Sequence, residues 1–162
     1  MSAEVTLRAP RPDELPEISA LMLRSKAHWG YDAAFMQACV SELTMTPADL
    51  AADDCFLACD GVRILGVAQL SCDGAAAALE TLYIDTPALG RGIGRLLFDW
   101  AVRTATARGA RMLSIVADPN AAPFYRHMGA VPAGSKPSGS IPGRELPLLT
   151  LALPAPEIPQ EN

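Results

Sequence analysis

Polar and apolar residues alternate over residues 4–8, and prolines at 10 and 12 close the run, which predicts a first strand. Asp13 is a helix-capping residue type, and Leu15, Ile18, Leu21 and Met22 after it fall on one helical face, so a helix is expected to end before Gly30. A second helix is expected from Asp32, with Phe35, Met36, Cys39, Val40 and Leu43 at helical spacing and Pro47 in its exit. Strand-like runs at 55–59, 64–70 and 76–84 are separated by Asp60-Gly61 and Asp73-Gly74, the signature of an antiparallel meander. Leu96, Leu97, Trp100, Ala101 and Thr104 then mark a helix that Gly109 terminates. A buried strand at 112–116, a short helix at 121–128 and a last strand at 146–153 follow. Glycine, proline and serine crowd the stretch between Gly129 and Pro147, which predicts one short strand near Val131 and a long loop. From Pro154 onward a disordered tail is expected. The predicted order is β-α-α-β-β-β-α-β-α-β, with room for one more strand, and the class is α/β.

Half of the 162 residues are apolar, enough for one domain with a full core, which we place at 1–153. The net charge of -5 argues against a nucleic-acid partner, because that affinity rests on clustered Lys and Arg, and it favours approach of a cationic amine. The first residues lack the basic start and apolar stretch of a signal peptide, and no apolar run is long enough to cross a bilayer. A cytoplasmic protein with no membrane partner is expected. Cys39, Cys55, Cys59 and Cys72 form no paired Cys-x-x-Cys knuckles, and His28 and His127 lie far from them, so no metal site is expected and the thiols read as small buried hydrophobes.

The chemistry concentrates in residues 82–98, where Leu82, Tyr83 and Ile84 end a strand and a loop with glycine at 90, 92 and 94 opens a helix. The first amides of a helix have no intrachain acceptor, and their dipoles sum to about half a positive charge, a natural seat for phosphate. Glycine in the loop permits left-handed dihedrals and close approach of a ligand to the main chain. Arg91 and Arg95 add charge. The spacing does not fit a dinucleotide fingerprint, whose last glycine comes three residues after the second, and the chain has no Gly-Lys-Ser/Thr triplet for a nucleoside triphosphate loop.

The loop resembles the cofactor loop of the GCN5-related N-acetyltransferase superfamily, Gln/Arg-x-x-Gly-x-Gly/Ala, aligned on Gly92 and Gly94 with Leu89 at the first position. A second block about 30 residues on, Asn120-Ala-Ala-Pro-Phe-Tyr-Arg-His-Met-Gly-Ala130, is similar to that superfamily's Asn...Ala-x-x-Phe-Tyr-x-x-x-Gly-Phe segment, with Ala130 in place of Phe. The resemblance implies a mixed, mostly antiparallel sheet with helices on both faces and with its fourth and fifth strands splayed apart. It implies acetyl-CoA as cosubstrate, without a metal, and transfer of the acetyl group to a primary amine by direct attack in a ternary complex. Main-chain groups of Leu82, Tyr83 and Ile84 would meet the pantetheine arm. Gly90, Arg91, Gly92, Ile93, Gly94 and Arg95 would hold the pyrophosphate, and Asn120 and Phe124 would line the cofactor.

Tyr125 matches the family's general acid. Glu80 stands where members often carry the base, and strict alternation would set it on the face of Leu82 and Ile84, with Tyr83 on the other. A solvated strand residue or an arginine's partner is the competing reading of Glu80, and a water chain the competing route for the proton. His28, Trp29 and Tyr31, at the joint of the first two helices, are expected to wall the acceptor site or to pack that joint. The acceptor, a small-molecule or peptide amine, stays open, and so does a homodimer, frequent in the superfamily. The rival to an enzyme is a CoA-binding regulatory or interaction module of the same fold.

Overall fold

A computed structural model describes residues 4–155. The alternating segments become seven strands: β1 (Val5–Arg8), β2 (Asp54–Asp60), β3 (Arg63–Asp73), β4 (Ala76–Ile84), β5 (Met112–Val116), β6 (Val131–Pro137) and β7 (Glu145–Ala152). The segments of helical period become α1 (Leu15–Ala27), α2 (Ala33–Ala38), α3 (Pro47–Ala52), α4 (Ile93–Ala107) and α5 (Ala122–His127). All strands share one sheet in the order β1-β2-β3-β4-β5-β7-β6, and every neighbouring pair is antiparallel except β4 with β5. The mixed, mostly antiparallel α/β sheet is as expected. No helix among the described residues is long and apolar enough to cross a membrane.

Each face of the sheet carries its own core. Ile18 and Leu21 of α1 pack with Leu57 and Val67, whereas Leu97 and Phe98 of α4 pack with Leu65, Leu70, Leu113 and Ile115. Each such side chain contributes about 1.5–3 kcal/mol by leaving water, so the two layers clamp the sheet between them. Cys39, Cys55 and Cys59 are buried free thiols and Cys72 is half-buried; burial pushes the Cys55 thiol up to about 12.

Three local differences from the predicted elements have physical reasons. The helix expected from Asp32 is shorter: Asp32 caps α2, its carboxylate accepting from the Phe35 amide at 2.8 Å, but α2 ends at Ala38 and residues 39–43 continue as turns. Pro47 opens α3 rather than closing a helix, because Thr46 and Asp49 form a reciprocal capping box and proline suits the first helical turn. The long loop after Gly129 is largely strand: β6 has seven residues, and its Pro132 and Pro137 are tolerated because it is an edge strand. Of the expected disordered tail, Pro154 and Ala155 carry no regular structure, and the remainder lies outside the described residues.

The feature that shapes the site is the parting of β4 from β5. They pair only through Ala76 with Met112, Ala77 with Leu113 and Ala78 with Ser114. Beyond that, β4 stays with β3 as far as Ile84, and β5 stays with β7 as far as Val116. A bulge bends β4 at the point of departure: Gln69 faces Thr81 and Leu70 faces Leu79, so Glu80 is the extra residue. The register beside the bulge is held by buried polar groups, the Thr81 hydroxyl donating to Gln69 Oε1 at 3.1 Å and Gln69 Nε2 donating to Asp53 at 2.7 Å. The main chain of β4 from Leu79 onward has no strand partner on its β5 side.

Gly66 of β3 lets this splayed end pack. A Cβ there would lie 2.9 Å from Ile84 Cδ1, 3.0 Å from Leu97 Cδ1 and 3.1 Å from the Tyr83 carbonyl oxygen. Gly66→Ala is therefore expected to destabilise the fold by about 1–3 kcal/mol, read as a lower urea midpoint at unchanged slope.

Candidate active site

The chain leaves β4 through a turn built for the purpose. The buried Asp85 carboxylate accepts from Arg24 at 3.1 and 3.2 Å and from the Thr86 amide at 3.0 Å, which caps the single 3-10 turn of Thr86–Ala88. The chain then passes Leu89 and Gly90 to Gly92, the N-cap of α4. Gly90 and Gly92 have φ of +81° and +78°, and a Cβ at either would meet nothing within 4 Å, so backbone conformation rather than crowding demands glycine there. The first bond of α4 runs from the Leu96 amide to the Gly92 carbonyl at 3.1 Å. The amides of Ile93, Gly94 and Arg95 thus have no intrahelical acceptor. No side-chain cap and no acidic residue occupies the first turn, so the positive end of the helix is uncompensated.

Gly94 is helical, and a Cβ there would lie 3.3 Å from the Phe124 ring, so the missing side chain makes room for α5. Ile93 is buried and anchors the helix mouth to the core beneath it. Arg91 is partly engaged, 3.6 Å from Asp60, while Arg95 is exposed.

Between the parted strands lies a cleft of two lobes, each about 200 Å³. Leu82, Tyr83, Ile84, Gly94, Asn120, Phe124 and Tyr125 line the first lobe, which opens beside the mouth of α4. Met22, Glu42, Leu43, Thr81, Ser114 and Leu146 line the second, on the side of α1. Lys26, Leu79, Glu80, Tyr83, Val116 and Asp118 border both.

Tyr125 is 6 % exposed, set against Phe98 and Phe124 with ring centroids 6.1 and 5.2 Å away. Burial pushes its phenol above the ordinary range, so it stays protonated at neutral pH. Glu80 is exposed and accepts a hydrogen bond from Ser71 Oγ at 2.7 Å. Ser71 stands opposite Ala78, and the bulge cancels the alternation that would have put Glu80 with Leu82 and Ile84. Glu80 and Tyr83 instead border the same lobe, and Tyr83 is also a protonated phenol, pushed up by burial and by the nearby Glu42 and Asp118 carboxylates.

The residues expected to wall the acceptor divide. Trp29 lines the first lobe, half-exposed. His28 is exposed, borders neither lobe and leans on Trp29 at 5.8 Å. Tyr31 stacks on Phe35 at 4.0 Å with the rings 11° apart, and it acts on the cleft through its hydroxyl, which donates to Asp118 Oδ2 at 2.7 Å. Asn120, placed by its motif with the cofactor, borders the first lobe but turns its amide to Asp118 Oδ1 at 2.9 Å and Tyr31 Oη at 3.0 Å.

Residues 21–130 match the model of the acetyltransferase (GNAT) family. The chain belongs to that family. Members are acetyl-CoA-dependent acetyltransferases. No protein with a curated description matches it. Solved structures share the fold at low identity. A GCN5-related N-acetyltransferase from Rhodopseudomonas palustris is 24 % identical with a TM-score of 0.78, covering 94 % of this chain and 98 % of that one. The PaiA N-acetyltransferase from Thermoplasma acidophilum, solved with coenzyme A, is 14 % identical at 0.73, covering 92 % and 99 %. The ribosomal-protein-S18-alanine N-acetyltransferase from Escherichia coli is 16 % identical at 0.70, covering 98 % and 100 %.

Within this GNAT chain, one residue that the sequence reading did not single out organises the cleft. Asp118, just beyond β5, accepts from Lys26 Nζ at 3.1 Å, from Tyr31 and from the Asn120 main-chain amide at 2.8 Å, and it lies 3.6 Å from Arg144. Arg144 also donates to Tyr31 Oη at 2.8 Å and stacks over Phe35, 4.8 Å from the ring centroid. Helix α1, the joint before α2, the β5–α5 loop and the β6–β7 hairpin thus converge on one carboxylate. Nothing in the local sequence distinguishes Asp118 from a solvated loop aspartate; only the four partners do.

Burial raises the cost of the Asp118 charge, but Tyr31, the Asn120 amide and Lys26 outweigh it and hold the carboxyl below its ordinary range. A folded-state value below the unfolded one means that the contribution is present in full above pH 3.8 and is lost as pH falls through the folded value. Lys26 and Asp118 side chains are only 11 % and 12 % exposed. Asp118→Asn, which strands the Lys26 ammonium, is expected to cost about 3 kcal/mol at neutral pH and to flatten the acid loss of stability, measured by urea unfolding at stepped pH.

Proposed function

We propose that the chain is an N-acetyltransferase that transfers the acetyl group of acetyl-CoA to a primary amine by direct attack in a ternary complex. The observation that carries this reading is convergence: the free edge of β4, Gly94 at the uncompensated mouth of α4, and Tyr125 all border the first lobe of one cleft. The residues fit the cosubstrate. A diphosphate suits the amides of Ile93, Gly94 and Arg95 with the unobstructed loop at Gly90 and Gly92, and Arg91 and Arg95 add charge beside them. A pantetheine arm, which carries amides, suits the unpaired main chain of Leu82, Tyr83 and Ile84 as an added strand would, against Phe124 and with Asn120 at the border.

Acetyl-CoA supplies an acetyl group already activated by its thioester. The protein's own residues must then manage protons and charge. An ammonium has no lone pair, so a base must deprotonate it, and Glu80, exposed at the junction of the two lobes, takes that role directly or through water. An outward-facing main-chain amide of the β4 edge stabilises negative charge on the acetyl oxygen. Tyr125, kept protonated by burial, donates to the departing sulfur. Trp29 and the Tyr31–Asp118 network shape the side from which the amine enters, with His28 at its outer margin.

Calorimetry with acetyl-CoA combined with a thiol-release assay over an amine panel tests the reading. Thiol release from at least one primary amine is expected; tight binding with no release from any amine would leave a binding module instead. Tyr125→Phe is expected to lower kcat about 100-fold while CoA affinity changes less than about twofold. Gly92→Val places a branched residue at φ +78°. It is expected to weaken CoA binding at least about tenfold through loss of the loop conformation, read by calorimetry.

A further inference from the structure

The second lobe of the cleft has a composition that the acetyl-transfer reading leaves unused. Its walls are apolar at Met22, Leu43 and Leu146, and two carboxylates, Glu42 and Glu80, border it without a cation. Lys26, the only basic residue of that lining among the described residues, is committed to Asp118 at 3.1 Å. Each free carboxylate is held instead by a serine: Ser71 Oγ donates to Glu80, and Ser140 Oγ donates to Glu42. Glu42 is thereby clamped between the segment after α2 and the β6–β7 hairpin, its Oε1 3.1 Å from where a Cβ of Gly139 would stand. A separate sign that Glu42 faces the cleft is its effect on Tyr83, whose phenol is pushed up first by burial and next by the Glu42 charge.

We propose that the acceptor is an aliphatic amine carrying a second ammonium group, with Glu42 holding the far cation while Glu80 receives the proton of the amine that is acetylated. This rests on the acetyl-transfer reading and narrows its substrate class. A chain with a cation at each end satisfies both carboxylates and lays methylenes on Met22, Leu43 and Leu146; a simple alkylamine leaves Glu42 unpaired, and an ω-amino acid opposes it with like charge. The transfer balances: the ammonium nitrogen gives up two protons and bonds to the acetyl carbon as the carbon–sulfur bond breaks, one proton ends on sulfur and the other reaches solvent. Because Glu42 is solvent-accessible, screening limits the preference to roughly tenfold rather than a thousandfold.

The test compares kcat/KM of the full chain for α,ω-diamines of three to eight carbons, for the alkylamines of equal length and for the corresponding ω-amino acids. The best diamine is expected to exceed its alkylamine by about tenfold or more, and the ω-amino acid to be the poorest. In Glu42→Gln the diamine-to-alkylamine ratio is expected to fall to within about threefold, with Glu42→Asp intermediate and CoA affinity reporting an intact fold. Equal rates for diamine and alkylamine in the wild type, or a ratio that survives Glu42→Gln, would overturn the proposal. If no amine releases thiol, the transfer reading fails by itself, and calorimetry of the CoA-loaded protein then decides the acceptor class: tighter binding of the diamine that Glu42→Gln removes supports it, and equal affinities refute it.

Discussion

The molecule is organised by two strands that cannot stay together. After three residue pairs, β4 and β5 separate, because β4 accommodates an extra residue at Glu80 while each strand keeps its other neighbour to the end. A sheet interior normally hides its main-chain polar groups by pairing them. Here the pairing is withheld along Leu79 to Ile84, and the hydrophobic layers on both faces keep the parted strands from closing again. The gap is written into the strand pairing, and the groups left free in it are the ones an amide-bearing ligand can use.

Charge is partitioned along that gap. One end receives the positive mouth of α4, with no acidic residue in its first turn, and the other end is bordered by Glu42 and Glu80. Asp118 stands between them, but its charge is spoken for by Lys26, Tyr31 and Arg144. The result is a cleft that presents positive potential to a diphosphate and negative potential to a cation, within a chain whose net charge is -5. The proposed transfer, which joins an anionic cosubstrate to a cationic amine, rests on that partition.

The two lobes differ in what builds them. The lobe beside α4 is made mainly by the continuous stretch from β4 through its loop to α4 and by α5, with Ser25, Lys26 and Trp29 at its border. The other draws on Met22 of α1, Glu42 between α2 and α3, and Leu146 of β7, segments distant in the chain that the α1-side core, the Asp118 network and the Glu42–Ser140 contact bring together.

What the sequence determined by itself is whatever depends on neighbours a few residues apart. Periods of two and 3.6 marked the strands and the long helices, Asp32 capped its helix as expected, and the glycine loop was readable because a left-handed dihedral at Gly90 and Gly92 is a local requirement. What the tertiary structure decided depends on pairing across the chain. Alternation could not reveal that Glu80 is a bulge, since that is a count of one strand against another, and so it set Tyr83 and Glu80 on opposite faces when they share a lobe. Asp118 meets Tyr31 across 87 residues and Lys26 across 92, and Arg144 meets Tyr31 across 113. A buried charge is stabilised by partners that only the fold delivers, whereas a turn or a helix is already written in consecutive backbone geometry.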